Sequence, residues 1–244
     1  AVVSNLYRSF VNAKKRESLQ VPQVKAPTPL AFFQSDGGQG PYTITSESMQ
    51  KIFNSPVAVV SLPATYRSHG LLWCSLAHEV CGHDVVHADE ELVPELVAGV
   101  RSLFTGNSFA PNGPLSPNLL SALLWSYWID EAVADVYGVL NMGPTFSLNL
   151  AAFFSAMMSC AMKESGRPVP GMPFLRCNAG PRDPMGGDNH MDEHPVDVLR
   201  LYLAIGVIDA LPHLSTKVKD EYIADIEAVA KARSEEHTSE LQSQ

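Results

Sequence analysis

Asp130, Glu131 and Asp135 belong to the motif DEAVAD, inside a long, otherwise apolar stretch of helical period that runs from Ser116 and Pro117 to Gly143 and Pro144. An exposed face would keep these acids hydrated, but apolar neighbours on both sides of the motif argue for burial. A buried carboxylate without compensation costs several kcal/mol, so three on one apolar helix call for a cation. The chain must then fold so that another element brings further ligands to this helix.

The segment that can do so is Leu76 to His87, LAHEVCGHDVVH, which follows a short strand-like run. Imidazole and carboxylate are the donors that zinc takes in a tetrahedral site, and HExxH helices supply two histidines four residues apart with a Glu between them. Here His78 and His83 are five apart. At about 100° per residue an ideal α-helix leaves them roughly 140° apart, too wide for one ion. A one-residue bulge restores a shared face, and Gly82, just before His83, eases such an irregularity.

HEVCGH resembles the HExxGH signature of dipeptidyl peptidase III, a family of zinc metallopeptidases that accommodates the extra residue. The family draws its third ligand from a downstream EExxAE helix, and DEAVAD, from Asp130 to Asp135, is similar to that pattern. The resemblance implies a Zn²⁺ held by His78, His83 and Glu131, with Glu79 as general base and a peptide or protein as substrate. It matches Asp130 and Asp135 to the flanking acids. Asp135, four residues after Glu131, shares its helix face and can orient a ligand histidine from behind. The similarity covers about a quarter of the chain, two acids are Asp where the family has Glu, and the family's transition-state His and Tyr align with no position here. Candidate substrate or transition-state contacts are His190, His194, Tyr137 and Arg200, with Tyr127 beside them, all chosen for nearness in sequence to the ligand helix or to the loop before Pro195.

Two other readings use the same residues. His69, His83 with Asp84, and Asp135 resemble the H, HD, D series of HD-domain phosphohydrolases, a reading that leaves Glu79 and Glu131 without a role. A catalytically inactive zincin-like scaffold acting as a binding module is the other. His87 and Asp84 are expected to play supporting roles, and Trp73, Trp125 and Trp128 to pack in the core.

The expected fold is mainly α with some β (α+β): a zincin-like helical domain with a small N-terminal sheet, spanning 1–232 as a single domain. A helix over the first twenty residues, with Val2, Val3, Leu6, Phe10 and Val11 in period, ends before Pro22. Leu30 to Phe33 and Tyr42 to Thr45 flank a turn-rich stretch and read as a hairpin or loop, and Val57 to Leu62 reads as a strand. Helices are expected from about Leu71 to His87 and from Glu90 to Phe104. Ser116 and Pro117 open a long helix that Gly143 and Pro144 stop. Further helices cover Phe146 to Lys163, Pro195 to Leu211, and Ser215 or Thr216 to about Ala232. Between them Gly166 to His194, rich in Pro and Gly, reads as a lid or binding loop. Residues 233–244 resemble a translated sequencing adapter and are set apart as a non-native tail.

A net charge of −9 with only 17 Lys and Arg opposes a nucleic-acid partner. The longest apolar runs fall short of the roughly 20 residues that a membrane-spanning helix needs, so no membrane partner is expected. Cys74, Cys81, Cys160 and Cys177 form no CxxC pair and read as free buried thiols. The compartment is little constrained; the cytoplasm is favoured, and the lack of a Met before Ala1 leads us to expect a missing upstream segment.

Overall fold

The computed structural model describes residues 2–11, 27–35, 40–88, 91–106, 108–111, 113–165 and 194–241. The chain divides into two compact units, Ala1–Asn141 and Met142–Gln244. Helix dominates, with a small N-terminal sheet, as the apolar periodicities predict.

In the first unit α1 (Val2–Val11) buries Val3 and Leu6. Three strands follow, β1 (Leu30–Phe33), β2 (Tyr42–Ile44) and β3 (Val59–Leu62), in the spatial order β1-β3-β2. β1 runs parallel and β2 antiparallel to β3, so β1 and β2 do not form the hairpin that their spacing allowed. The reason lies in β3: VVSL is the most deeply buried strand, with Val60, Ser61 and Leu62 inside, and it takes the centre. Between β2 and β3 a further helix, α2 (Ser46–Phe53), was not expected. Thr45 caps it, its side chain accepting from the Ser48 N–H, and Asn54 ends it in the left-handed region at φ 52°.

After β3 the chain stays helical but changes pitch repeatedly. Two 3₁₀ turns, Ala64–Ser68 and Gly70–Cys74, lead into one α-turn, α3 (Ser75–Ala77), then a π-helix over His78–Val85 and a last 3₁₀ turn, Val86–Ala88. The π-helix packs against α1 and β2. α4 (Leu92–Thr105) then packs against α5 (Pro117–Tyr127), which Ser116 caps by accepting from the Leu119 N–H, with Pro117 at its first position.

The long helix expected from Pro117 to Met142 is two helices. α5 stops at Tyr127, Trp128 takes φ −86°, ψ 11°, and α6 (Ile129–Met142) begins at once. No Gly or Pro marks this break; the residue at it is a buried indole, set edge-on to Trp125 with ring centroids 5.8 Å apart. Val86, Ile129 and Val133 form a buried cluster against which α4 lays Leu92, Val93, Leu96 and Val97.

The second unit is built from α7 (Pro144–Ser165), α8 (Asp197–Ala210) and α9 (Thr216–Leu241), each packed on the other two. Phe154, Leu201, Ile208 and Ile226 fill its core. Gly143, at φ 69°, separates α7 from α6 in a conformation that disfavours residues with a Cβ. α9 continues past Ala232 into the adapter-like residues. The expected lid, apart from His194, lies outside the described residues. Among the described residues no helix is long and apolar enough to cross a membrane.

Candidate metal centre

The π-helix solves the spacing problem posed by HEVCGH. Its i→i+5 hydrogen bonding adds one residue to the turn, so His83 stands one turn beyond His78 and both rings share a face. The ring centroids are 5.0 Å apart. Gly82 has a second task beyond easing the pitch change. A Cβ built on it would fall 2.0 Å from Ala134 Cβ and 2.1 Å from Ala134 Cα, so the π-helix backbone lies directly on α6. Glu131 is one helical turn before Ala134, and this close crossing carries its carboxylate to the two histidines.

The donor atoms converge. His78 Nε2 and His83 Nε2 are 3.3 Å apart, His83 Nε2 and Glu131 Oε1 are 3.3 Å apart, and His78 Nε2 and Glu131 Oε2 are 3.4 Å apart. Tetrahedral bonds of about 2.0–2.1 Å would set donor atoms about 3.3–3.4 Å from one another. The donor set, two imidazoles and one carboxylate, is one that transition metals accept and that Ca²⁺ and Mg²⁺ do not favour. His78, His83 and Glu131 can therefore hold a metal ion, and they form the group among the described residues whose donor atoms gather in this way.

Electrostatics point the same way. Burial by itself would depress the His78 imidazole, but the hydrogen bonds its ring N–H groups donate to Asp135 and Glu131, backed by the charges of those carboxylates, raise it to about 10. The pocket thus favours positive charge at this position. His78 Nδ1 lies 3.0 Å from Asp135 Oδ1, and Asp135 is fully buried. With Nδ1–H donating to Asp135, the Nε2 lone pair of His78 turns toward the other two donors.

Glu79, next to His78 on the π-helix, is buried. Its carboxylate accepts a hydrogen bond from Thr43 Oγ1 at 2.8 Å, and the same hydroxyl lies 3.0 Å from the Glu79 carbonyl oxygen. Sequence reasoning missed Thr43, because a threonine on a short strand 36 residues away carries no local mark. The phenol of the buried Tyr66 is raised, first by burial and then by the charge of Glu79.

The remaining candidates are spread more widely. Asp130 does not reach a ligand histidine; it meets His87, with Oδ1 and Nε2 3.4 Å apart. Asp84 turns to α2, its Oδ1 accepting from both the Ser46 N–H and the Ser46 hydroxyl at 2.9 Å. Tyr137 packs against the Val86, Ile129, Val133 cluster, and Tyr127 is exposed at the end of α5. Arg200 is buried in the second unit with its guanidinium 5.3 Å from the centre of the Phe154 ring, and His194 belongs to the same unit. His190 lies outside the described residues. His69 is exposed at the junction of the two 3₁₀ turns.

No protein-family model, curated protein or solved structure matches the chain.

Proposed function

We propose that this chain is a zinc-dependent hydrolase that cleaves peptide bonds, with His78, His83 and Glu131 as the metal ligands and Glu79 as the general base. The observation that carries the reading is the convergence of those three donors at 3.3–3.4 Å, two of them on a π-helix that also bears the buried Glu79. The likeness of HEVCGH and DEAVAD to the dipeptidyl peptidase III motifs supports zinc as the ion and an amide as the target.

When bound, zinc supplies Lewis acidity toward water and toward a substrate carbonyl. The chain's own residues do the rest. Asp135, by accepting from His78 Nδ1–H, orients the ring so that Nε2 is the atom that would meet the ion. Glu79, as a carboxylate, accepts the proton of the attacking water and delivers it to the leaving nitrogen. Thr43 Oγ1 holds one oxygen of that carboxylate. The reading based on an HD-type site draws less support, because Asp84 is occupied by Ser46 and Asp135 by His78.

Elemental analysis tests the proposal. We expect about one zinc per chain in the wild type and loss of zinc in both His83→Ala and Glu131→Ala. Glu79→Gln should keep its zinc and lose about 10²–10⁴-fold in peptide turnover. Zinc retained without Glu131, or full turnover by Glu79→Gln, would sink the assignment.

A further inference from the structure

β2 and the start of α2 are fastened to the π-helix at two points. Asp84 forms one by accepting both hydrogen bonds of Ser46. Thr43 forms the other, with Oγ1 2.8 Å from Glu79 Oε2 and 3.0 Å from Glu79 O. A hydroxyl has a single proton to donate, and of these two acceptors the ionised carboxylate is both nearer and stronger. The proton therefore goes to Oε2.

The setting makes this more than a passing contact. Thr43 is the middle residue of β2, paired antiparallel with Val60 of the buried central strand, so the sheet fixes where its hydroxyl stands. Glu79 is only 5% exposed, and bulk water cannot take over the role of that donor. A glutamate side chain turns about three torsions, and a donor on a rigid strand selects among the orientations that remain after burial.

We propose that Thr43 is a positioning residue for Glu79, holding Oε2 so that the carboxylate meets the reacting water in one orientation. The proposal rests on the reading of Glu79 as general base. It predicts a loss confined to kcat, since the binding of substrate does not depend on how the base is turned.

The test uses the full chain carrying zinc. Subtracting the infrared spectrum of Glu79→Gln from that of the wild type isolates the Glu79 carboxylate band, with no substrate present. Thr43→Val, which removes the hydroxyl and keeps the branched shape, should move that band and leave zinc content unchanged. Thr43→Ala provides the same loss of hydroxyl should valine perturb the strand, and Thr43→Ser should return the band to its wild-type position. With the best-cleaved member of an internally quenched peptide library, Val and Ala should lower kcat about ten- to hundredfold with KM within about twofold, and Ser should restore it. A band that stays in place in Thr43→Val and Thr43→Ala overturns the proposal, as does a serine variant as slow as the alanine one. A band that moves with Thr43 while zinc-loaded wild type cleaves no peptide upholds the Thr43–Glu79 pairing and overturns the hydrolase reading instead.

Discussion

His78 joins three features of the site: it bonds Asp135 through Nδ1, faces His83 and Glu131 through Nε2, and is held near pKa 10 by its acidic partners against the opposing effect of burial. Removing the Asp135 carboxylate frees the ring to turn. Asp135→Ala is expected to weaken zinc binding about 10–100-fold, read by competition with a chromogenic chelator, and unchanged affinity would count against the orienting role. The raised His78 value also sets a pH dependence. Folded His78 titrates above its ordinary 6.5, so in metal-free protein its pairing stabilises the fold fully below about pH 6.5 and that contribution fades as pH rises through about 10. A bound ion takes the place of the proton, so the stability gap between zinc-loaded and chelator-treated protein should widen from pH 6.5 to pH 10. Urea midpoints across that range check this, and a gap that narrows would contradict it. The three donors that converge were legible in the sequence, because donor type and spacing are local properties of HEVCGH and DEAVAD. Thr43 was not, since its partner is set by how a strand lies on a helix. Nor was the pairing of Asp130 with His87, which follows from where the last 3₁₀ turn lies beside α6.

At the scale of elements the central fact is a contact between two backbones. Gly82 admits the main chain of Ala134 where a methyl group would meet its Cα at 2.1 Å. Gly82→Ala must push the π-helix off α6, and we expect a loss of about 1–3 kcal/mol in urea denaturation together with at least tenfold weaker zinc binding. Gly99 provides the control: it lies in α4 with nothing within 4 Å of an added Cβ, so Gly99→Ala should be neutral or gain about 0.5–1 kcal/mol. Equal destabilisation by the two would refute the role given to the crossing. The bulge in the His78–His83 segment was legible, because five-residue spacing makes sense on one face only if the turn gains a residue. The break at Trp128 was not, because apolar periodicity runs through it without a stop signal and the packing of a buried indole decides it. The same limit explains the strand order: adjacent strands in sequence favour a hairpin, but β3 buries more surface and separates them. α2 did carry signals, Thr45 ahead of the helix and Asn54 after it, within a stretch too short and too polar for periodicity to stand out.

For the molecule as a whole, the three converging donors, Glu79, Thr43 and Asp135 all belong to the unit Ala1–Asn141. An ion that binds only the folded state stabilises by about 2.7 kcal/mol at a free concentration a hundred times Kd. Hydrogen exchange on the full chain should therefore show zinc-dependent protection at His78–Val85 and along α6, with α8 and α9 unchanged. Protection spread evenly over both units would show that the site is not contained in the first. The helix-rich class and the stop at Gly143 and Pro144 could be read from the sequence, since both follow from composition and backbone chemistry. The division of contacts near that stop depends on which faces pair, and no local signal records it. The division also has a bearing on synthesis. The first unit is synthesised before the second, whose roughly 90 residues up to Ala232 take on the order of 5–20 s at about 5–20 residues per second. Every residue proposed to hold the ion precedes the second unit in the order of synthesis, so an ion can bind the proposed centre before that unit is complete.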